Sequence, residues 1–354
     1  MKPAGKLVSA LRWLLLGPLW AAQLLTGAKS FMDNPLIGSH RLNARGLHAW
    51  RLRVTDRLAQ SRRARLAALL APEDRAAFDR DGFVMKPDFL PAPQFEALRR
   101  QVMDYRGAAR EEVQGDAVTR RIACDGAALA AMPALRELLQ LPAWRGLIRY
   151  AGSFDAEPMV YIQTVLSHAR PGAADPQEAL HSDAFHATVK GWLFLTDVEP
   201  GAMCFTYVPG SHRLTPQRLQ WERGKSLAMS PQTDRLTRRG SFRVDEAELP
   251  ALGLPPPRQF AVPANTLVVA DTHGFHARGA STRPTLRVEI WAYSRRNPFM
   301  PWTGLDPWRP RALHQRRIGL AWWAGDTLER LGIKSHVWKR RPGTSAFDGP
   351  DDKA

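Results

Sequence analysis

From residue 158 onward the chain breaks into short apolar runs separated by glycine, proline and polar residues: Met159–Leu166, Val189–Leu195, Met203–Val208, Leu267–Ala270 and Leu286–Tyr293. Each run has the length of a strand and is too short for a core helix, so the pattern points to a β-sandwich or barrel. Such a fold commonly uses 200 or more residues as one unit, which fits a chain of 354. Ahead of it, residues 73–80 read as a short helix that Asp81-Gly82 terminates before a strand at Phe83–Met85. A second helix follows over Pro91–Val102, with Phe95, Leu98 and Val102 spaced for one buried face. The expectation is a mostly β protein with helical extensions. Between the third and fourth runs lies a basic insertion, residues 213–257, carrying Arg218, Arg223, Lys225, Arg235, Arg238, Arg239 and Arg243. A loop of that length inside a compact domain is more often a functional lid than a structural necessity.

The chemistry concentrates in two segments. In His181-Ser182-Asp183 the first and third side chains share a strand face, so both can hold one ion while Ser182 points away. A third ligand must come from elsewhere, and Asp271-Thr272-His273-Gly274-Phe275-His276, just after an apolar run, offers His273 and His276. Two imidazoles and one carboxylate leave three positions open on a ferrous ion, the arrangement non-haem iron oxygenases use to admit a keto acid and oxygen. An arginine beyond the second histidine, Arg287, can grip a remote carboxylate with its two-pronged guanidinium. The competing readings are a hydrogen-bonded His181/Asp183 pair and an Arg287 that merely pairs with Glu289.

Four pieces of the chain resemble the phytanoyl-CoA dioxygenase family of Fe(II)- and 2-oxoglutarate-dependent oxygenases: the segment from Phe78 through Leu90, Leu180-His181-Ser182-Asp183, Val208-Pro209-Gly210-Ser211-His212, and His276 with Arg287. The resemblance implies a double-stranded β-helix (jelly-roll, cupin-like) core, with Fe(II), 2-oxoglutarate as cosubstrate, and O2. It implies metal ligation by His181, Asp183 and His276. It prefers His276 to His273, because eleven residues then separate the distal histidine from Arg287, the cosubstrate arginine. It further implies that Gln163 and Thr164 line the cosubstrate pocket. His212 shapes a turn and pocket wall, and His186 either touches substrate or sits on an exposed loop. After the distal histidine the chain departs from the family: Ala277-Arg278-Gly279-Ala280-Ser281 stands where relatives carry Asn and Ser. The second carboxylate contact then falls to Ser281 or Thr285.

Composition addresses the partners. Fifty Lys+Arg against 34 Asp+Glu give a net charge of +16, which favours anionic molecules or surfaces. Two cysteines, Cys124 and Cys204, with no CxxC pair exclude a disulfide framework and a zinc ribbon, and suit a reducing cytoplasm. The uncharged stretch Trp13–Ala28, broken by Gly17-Pro18, is shorter than the roughly 20 residues that cross a bilayer. It follows Lys2 and Lys6 but has a poor cleavage pattern for a signal peptide. Trp13 and Trp20, seven apart on one helical face, favour an interfacial segment over residues 1–30. An arginine-rich helical linker follows over 31–72, its alternatives being a solvated helix or an RNA-binding arm. The oxygenase domain then spans 73–300, and a basic amphipathic extension 301–354 carries Ile318, Leu320, Trp322 and Trp323, either as a surface helix or as a C-terminal helix packed on the domain core.

These features together predict a hydroxylase of an anionic or amphiphilic small molecule or lipid, peripheral on the inner face of the cytoplasmic membrane. An acyl-CoA is a compatible substrate. The rivals are a nucleic-acid-directed oxygenase, for which no basic-aromatic ladder is present, and a catalytically silent peripheral membrane protein.

Overall fold

The computed structural model describes residues 3–350, with side chains from residue 13 onward, so of the front-end lysines Lys2 and the side chain of Lys6 lie outside the described residues. Three helices open the chain: α1 (Pro3–Gln23), α2 (His40–Ala44) and α3 (Leu47–Arg65). Helix α4 (Pro72–Asp81) ends at Gly82, whose φ of 85° turns the chain into β1 (Phe83–Lys86). Glycine is required there on two counts. That φ strains any L side chain, and a Cβ would lie 2.5 Å from both Tyr207 and His212. Then come α5 (Ala92–Asp104), β2 (Ala108–Gln114), β3 (Ala117–Ala123), α6 (Gly126–Ala131), α7 (Pro133–Leu138) and α8 (Pro142–Gly152). The remaining elements are β4 (Met159–Ser167), β5 (Val189–Phe194), β6 (Phe205–Tyr207), α9 (Pro216–Leu227), α10 (Arg235–Arg238), β7 (Arg258–Phe260), β8 (Leu267–Asp271), β9 (His276–Arg278), β10 (Thr285–Ser294), α11 (Arg311–Arg330) and β11 (Lys339–Pro342).

The strands form an eight-stranded antiparallel sheet in the order β1-β8-β5-β10-β4-β3-β2-β11, faced by a small sheet, β7-β6-β9. Alternation along the large sheet decides what lies on each side. Val160, Ile162, Val288, Ile290 and Ala292 join the main apolar core, which also holds Leu98 and Val102 of α5, Leu135 and Leu138 of α7, and Trp144, Leu147 and Ile148 of α8. Full burial of such side chains stabilises the fold by about 1.5–3 kcal/mol each. The intervening residues Tyr161, Trp192, Phe194 and Trp291 turn the other way and share a second core with Phe205, Tyr207 and Phe260 of the small sheet. The two facing sheets are the jelly-roll core, and the gap between them holds the site.

The helical extensions are more deeply built in than the sequence suggests. Arg51 and Arg62 of the arginine-rich stretch are about 1% exposed, whereas Arg41, Arg45, Arg53, Arg57 and Arg65 face solvent, so one face of the stretch packs on the rest of the chain. Arg62 donates to the carbonyls of Ser153, Pro298 and Met300, while Arg63 pairs with buried Asp271. Within the 213–257 insertion α9 packs on α2 and α3, and its buried Arg218–Glu222 pair receives His48 at 2.9 Å. Trp20 is buried and meets half-exposed Trp13 edge to face at 4.9 Å, so the two tryptophans do not present one common outward face. Among the described residues no helix is long and apolar enough to cross a membrane. In α11, Ile318 and Trp322 pack against the second core, whereas Leu320, Trp323 and Leu328 remain exposed.

Candidate metal centre and cosubstrate cleft

The His181 and His276 backbones bond to each other through both N–H groups, each at 2.9 Å, which zips the His181–Asp183 segment onto β9. On the other side Ser182 N–H donates to the Phe242 carbonyl and Val244 N–H to that of Leu180, so the insertion braces the same segment. Asp183 N–H bonds to the carbonyl of Thr272. Held in this way, His181, Asp183 and His276 place one ligand atom each within 4.8 Å of one another, and they are the only such group among the described residues. Nε2 of His181 lies 3.9 Å, and Nε2 of His276 3.7 Å, from the Asp183 carboxylate.

The protonation states suit a cation. Nδ1 of His181 bonds to the carbonyl of Ala179 and Nδ1 of His276 to that of Gly274, so each Nδ1 carries the hydrogen and each Nε2 offers its lone pair to the site. Nε2 of His276 is buried and has no hydrogen-bond partner. Burial pulls the pKa of His276 down to about 4 and that of His181 well below the ordinary value, the neighbouring imidazole adding to the second. Both are therefore neutral near pH 7. Burial alone would raise the Asp183 carboxyl, but the Lys190 ammonium, 2.6 Å away, and the two histidines outweigh it and hold the group well below the usual carboxylate range. A second ammonium, that of Lys29, donates to the main-chain carbonyl of Asp183; burial lowers its pKa to about 8.

From the two histidines of the triad a narrow cleft of about 80 Å³ runs between the sheets. Its floor is a polar ladder set by strand register. Arg121 of β3, Gln163 of β4 and Glu289 of β10 are direct neighbours across three strands. Arg121 donates to Gln163 at 2.8 Å, and Gln163 to Glu289 at 2.6 Å. Arg287, on the same face of β10, donates to Glu289 at 2.8 Å and to the carbonyl of Met203. It thus lines the cleft and also makes the Glu289 pair. Trp192, Phe205 and Trp291 supply apolar walls.

Two expected cosubstrate residues lie elsewhere. Thr164 follows Gln163 and so faces the opposite side of the sheet, where its hydroxyl donates to the carbonyl of Ala346. Ser281 stands outside the cleft and donates to the carbonyl of Arg283 at 2.6 Å. Thr285 bonds to Ser167. His273 is buried, but its Nδ1 bonds to the carbonyl of Ala184, away from the metal group. His186 is likewise buried and not on an exposed loop, and His212 packs against Phe78 as a wall residue. Conversely, Arg121, Lys190 and Arg278 line the cleft without having been singled out. Arg278 pairs with buried Asp175 at 2.8 Å. The alternation of β10 and β4 could have indicated Arg121 once β3 was recognised as their neighbour; nothing in the sequence marks Lys29.

Two facing antiparallel sheets around a His-Asp-His group with buried imidazoles, and an arginine across the cleft, are the arrangement of a non-haem iron oxygenase of the 2-oxoglutarate-dependent class. Residues 78–240 match the family described as phytanoyl-CoA dioxygenase (PhyH). The resemblance to that family covers 163 of the 354 residues, and the protein is an Fe(II)- and 2-oxoglutarate-dependent oxygenase. The matched segment contains His181 and Asp183, and ends before His276 and Arg287. No curated protein matches the chain. Similar solved structures include the non-heme alpha ketoglutarate dependent epimerase SnoN from nogalamycin biosynthesis, 21% identical, covering 64% of this chain and 82% of that one with a TM-score of 0.41. HygX from Streptomyces hygroscopicus with nickel and 2-oxoglutarate bound is 18% identical, with coverage of 63% and 86% and a TM-score of 0.38.

Proposed function

We propose that this dioxygenase hydroxylates an anionic, amphiphilic molecule at the inner face of the cytoplasmic membrane, with His181, Asp183 and His276 holding Fe(II) and Arg287 the remote carboxylate of 2-oxoglutarate. The observation that carries the metal assignment is the orientation of both imidazoles, locked through Nδ1 with Nε2 turned to one carboxylate. Nitrogen and oxygen donors on a single face fit a ferrous ion and leave its other positions for exogenous ligands. When bound, iron and the keto acid supply oxygen activation coupled to oxidative decarboxylation. The protein's part is geometry. Lys190, paired with Asp183, would keep that carboxylate ionised and oriented beside the ion. The Arg121–Gln163–Glu289 ladder keeps Arg287 extended across the cleft, and the tryptophan walls exclude water.

Succinate release dependent on added Fe(II) and 2-oxoglutarate, screened with a membrane-lipid and glycolipid extract, tests this reading. Arg287→Ala is expected to raise the KM for 2-oxoglutarate at least about tenfold, the loss of a charge-assisted carboxylate contact. Thr164→Val, on the far face of the sheet, should leave that KM unchanged. A wild-type KM in Arg287→Ala would remove Arg287 from the cosubstrate site.

The membrane part rests on α1, where Leu14, Leu15 and Leu19 are more than half exposed beside half-exposed Trp13. An apolar helical face next to a basic region suits an interfacial helix on anionic lipid. The full chain should float with vesicles containing anionic lipid, and Leu14→Ser combined with Leu15→Ser should weaken partitioning at least about tenfold. Wild-type protein that stays with the soluble fraction would defeat the membrane reading and leave the oxygenase assignment standing.

A further inference from the structure

The segment joining α1 to α2 is fastened into the oxygenase domain. Arg51 donates to the carbonyls of Leu24, Thr26 and Ala28 at 3.0, 2.9 and 2.6 Å. Arg295 donates to the carbonyl of Gly27 at 2.8 Å, Asn297 to that of Leu25, and Phe31 N–H to that of Arg238. Gly27 lies so close to the buried His186 ring that a Cβ would come within 3.2 Å of its Nε2, an atom without a hydrogen-bond partner. The segment is thereby pressed against the site, and it carries Lys29 to Asp183.

From this placement we infer that Lys29 and Lys190 form a subsite for an oxyanion group of the substrate, carboxylate or phosphate, so that a segment outside the matched family region supplies part of the active site. The inference rests on the metal-site reading above. Both ammoniums converge on Asp183, Lys190 on its carboxylate and Lys29 on its carbonyl. Each ammonium has three donors, and the structure engages one of each. Around Lys29, the Lys190 ammonium and the guanidiniums of Arg243 and Arg295 face Asp183, with Asp234 beside Arg243. This local surplus of positive charge favours an anionic ligand and orients it by charge-assisted hydrogen bonds.

The test uses the full chain loaded with Mn(II) and saturating 2-oxoglutarate, with inorganic phosphate and acetate as probes. Paramagnetic relaxation of the phosphate 31P and acetate 13C signals reports binding near the metal without turnover. The wild type is expected to bind at least one probe saturably, with Lys29→Met and Lys190→Met each weakening Kd about tenfold and Lys29→Arg staying near the wild-type value. Arg283→Met, which removes a charge from the exposed Arg283–Glu199 pair, should not change it. Displacement of the probe by phosphatidylcholine vesicles containing phosphatidic acid, and not by phosphatidylcholine alone, would assign the anion to a lipid headgroup; absence of displacement would assign it to a soluble molecule. Equal probe affinity in the wild type and both methionine variants, each melting at the wild-type temperature, would overturn the subsite. If Mn(II) itself fails to bind, the metal-site reading falls and the subsite with it; if Mn(II) binds but neither probe does, only the subsite falls.

Discussion

His276→Ala is expected to abolish Fe(II)-dependent succinate formation, by on the order of a hundredfold or more, whereas His273→Ala should retain metal binding. Disturbing a group that merely orients a ligand already lowers metal affinity or activity by about 10–100-fold, so removing a ligand must do at least as much. Two residues, Gly274 and Phe275, separate the two histidines, and both histidines are buried. They differ in what the ring nitrogens meet. His276 offers an unpartnered Nε2 toward Asp183 at 3.7 Å, while His273 turns Nδ1 to the carbonyl of Ala184 and sits near the Arg218–Glu222 pair. Metal titration of the two purified variants decides the matter: tight binding in His276→Ala, or its loss only in His273→Ala, would reverse the assignment.

Arg51→Ala is expected to destabilise the protein by about 3 kcal/mol, read as a lower urea midpoint at constant m. Its guanidinium bonds three carbonyls of the segment that carries Lys29, and it stacks over Phe185 at 4.1 Å from the ring centroid. Burial lowers its pKa to about 10, so it stays charged at neutral pH. Truncation leaves the carbonyls of Leu24, Thr26 and Ala28 without their donor in a partly buried setting. Arg51→Lys should recover less than half of the loss, because a point-like ammonium cannot span alternate carbonyls as a planar fork does. The same substitution should expose the 24–31 segment to limited proteolysis. An unchanged midpoint together with unchanged cleavage would show that the segment is held by its apolar contacts alone.

How much of this was legible beforehand depended on the physics of each element. The apolar runs that became β4, β5, β8 and β10 stood out because strands buried on both faces are nearly continuous in hydrophobic residues. Strands β2 and β3 did not, since Ala-Ala-Arg-Glu-Glu-Val-Gln and Ala-Val-Thr-Arg-Arg-Ile-Ala read as polar. Their arginines are satisfied only by tertiary partners: Arg110 by Asp326, Arg120 by Glu111, and Arg121 by Gln163 and the face of Trp291. The missing β3 hid Arg121. The same limit governed the arginine-rich stretch, in which charge alone suggested solvent or lipid while folding turned Arg51 and Arg62 inward. Thr164 shows the converse error, since adjacency to Gln163 in sequence means opposition across the sheet.

The sequence by itself determined which residues are candidates for the centre. His181 and Asp183 share a face by a two-residue period, and His273 or His276 with Arg287 are candidate ligand types at a spacing local enough to read directly. Tertiary structure decided what surrounds that chemistry. It chose between His273 and His276 by the direction of their ring nitrogens, set Glu289 beside Arg287, moved Thr164 and Ser281 out of the cleft, and brought Lys29 to Asp183 across 154 residues of chain. The physical reason is that a metal-ligand pattern is written in near neighbours, whereas the charge balance and walls of a buried cleft come from residues that meet only when the sheets close.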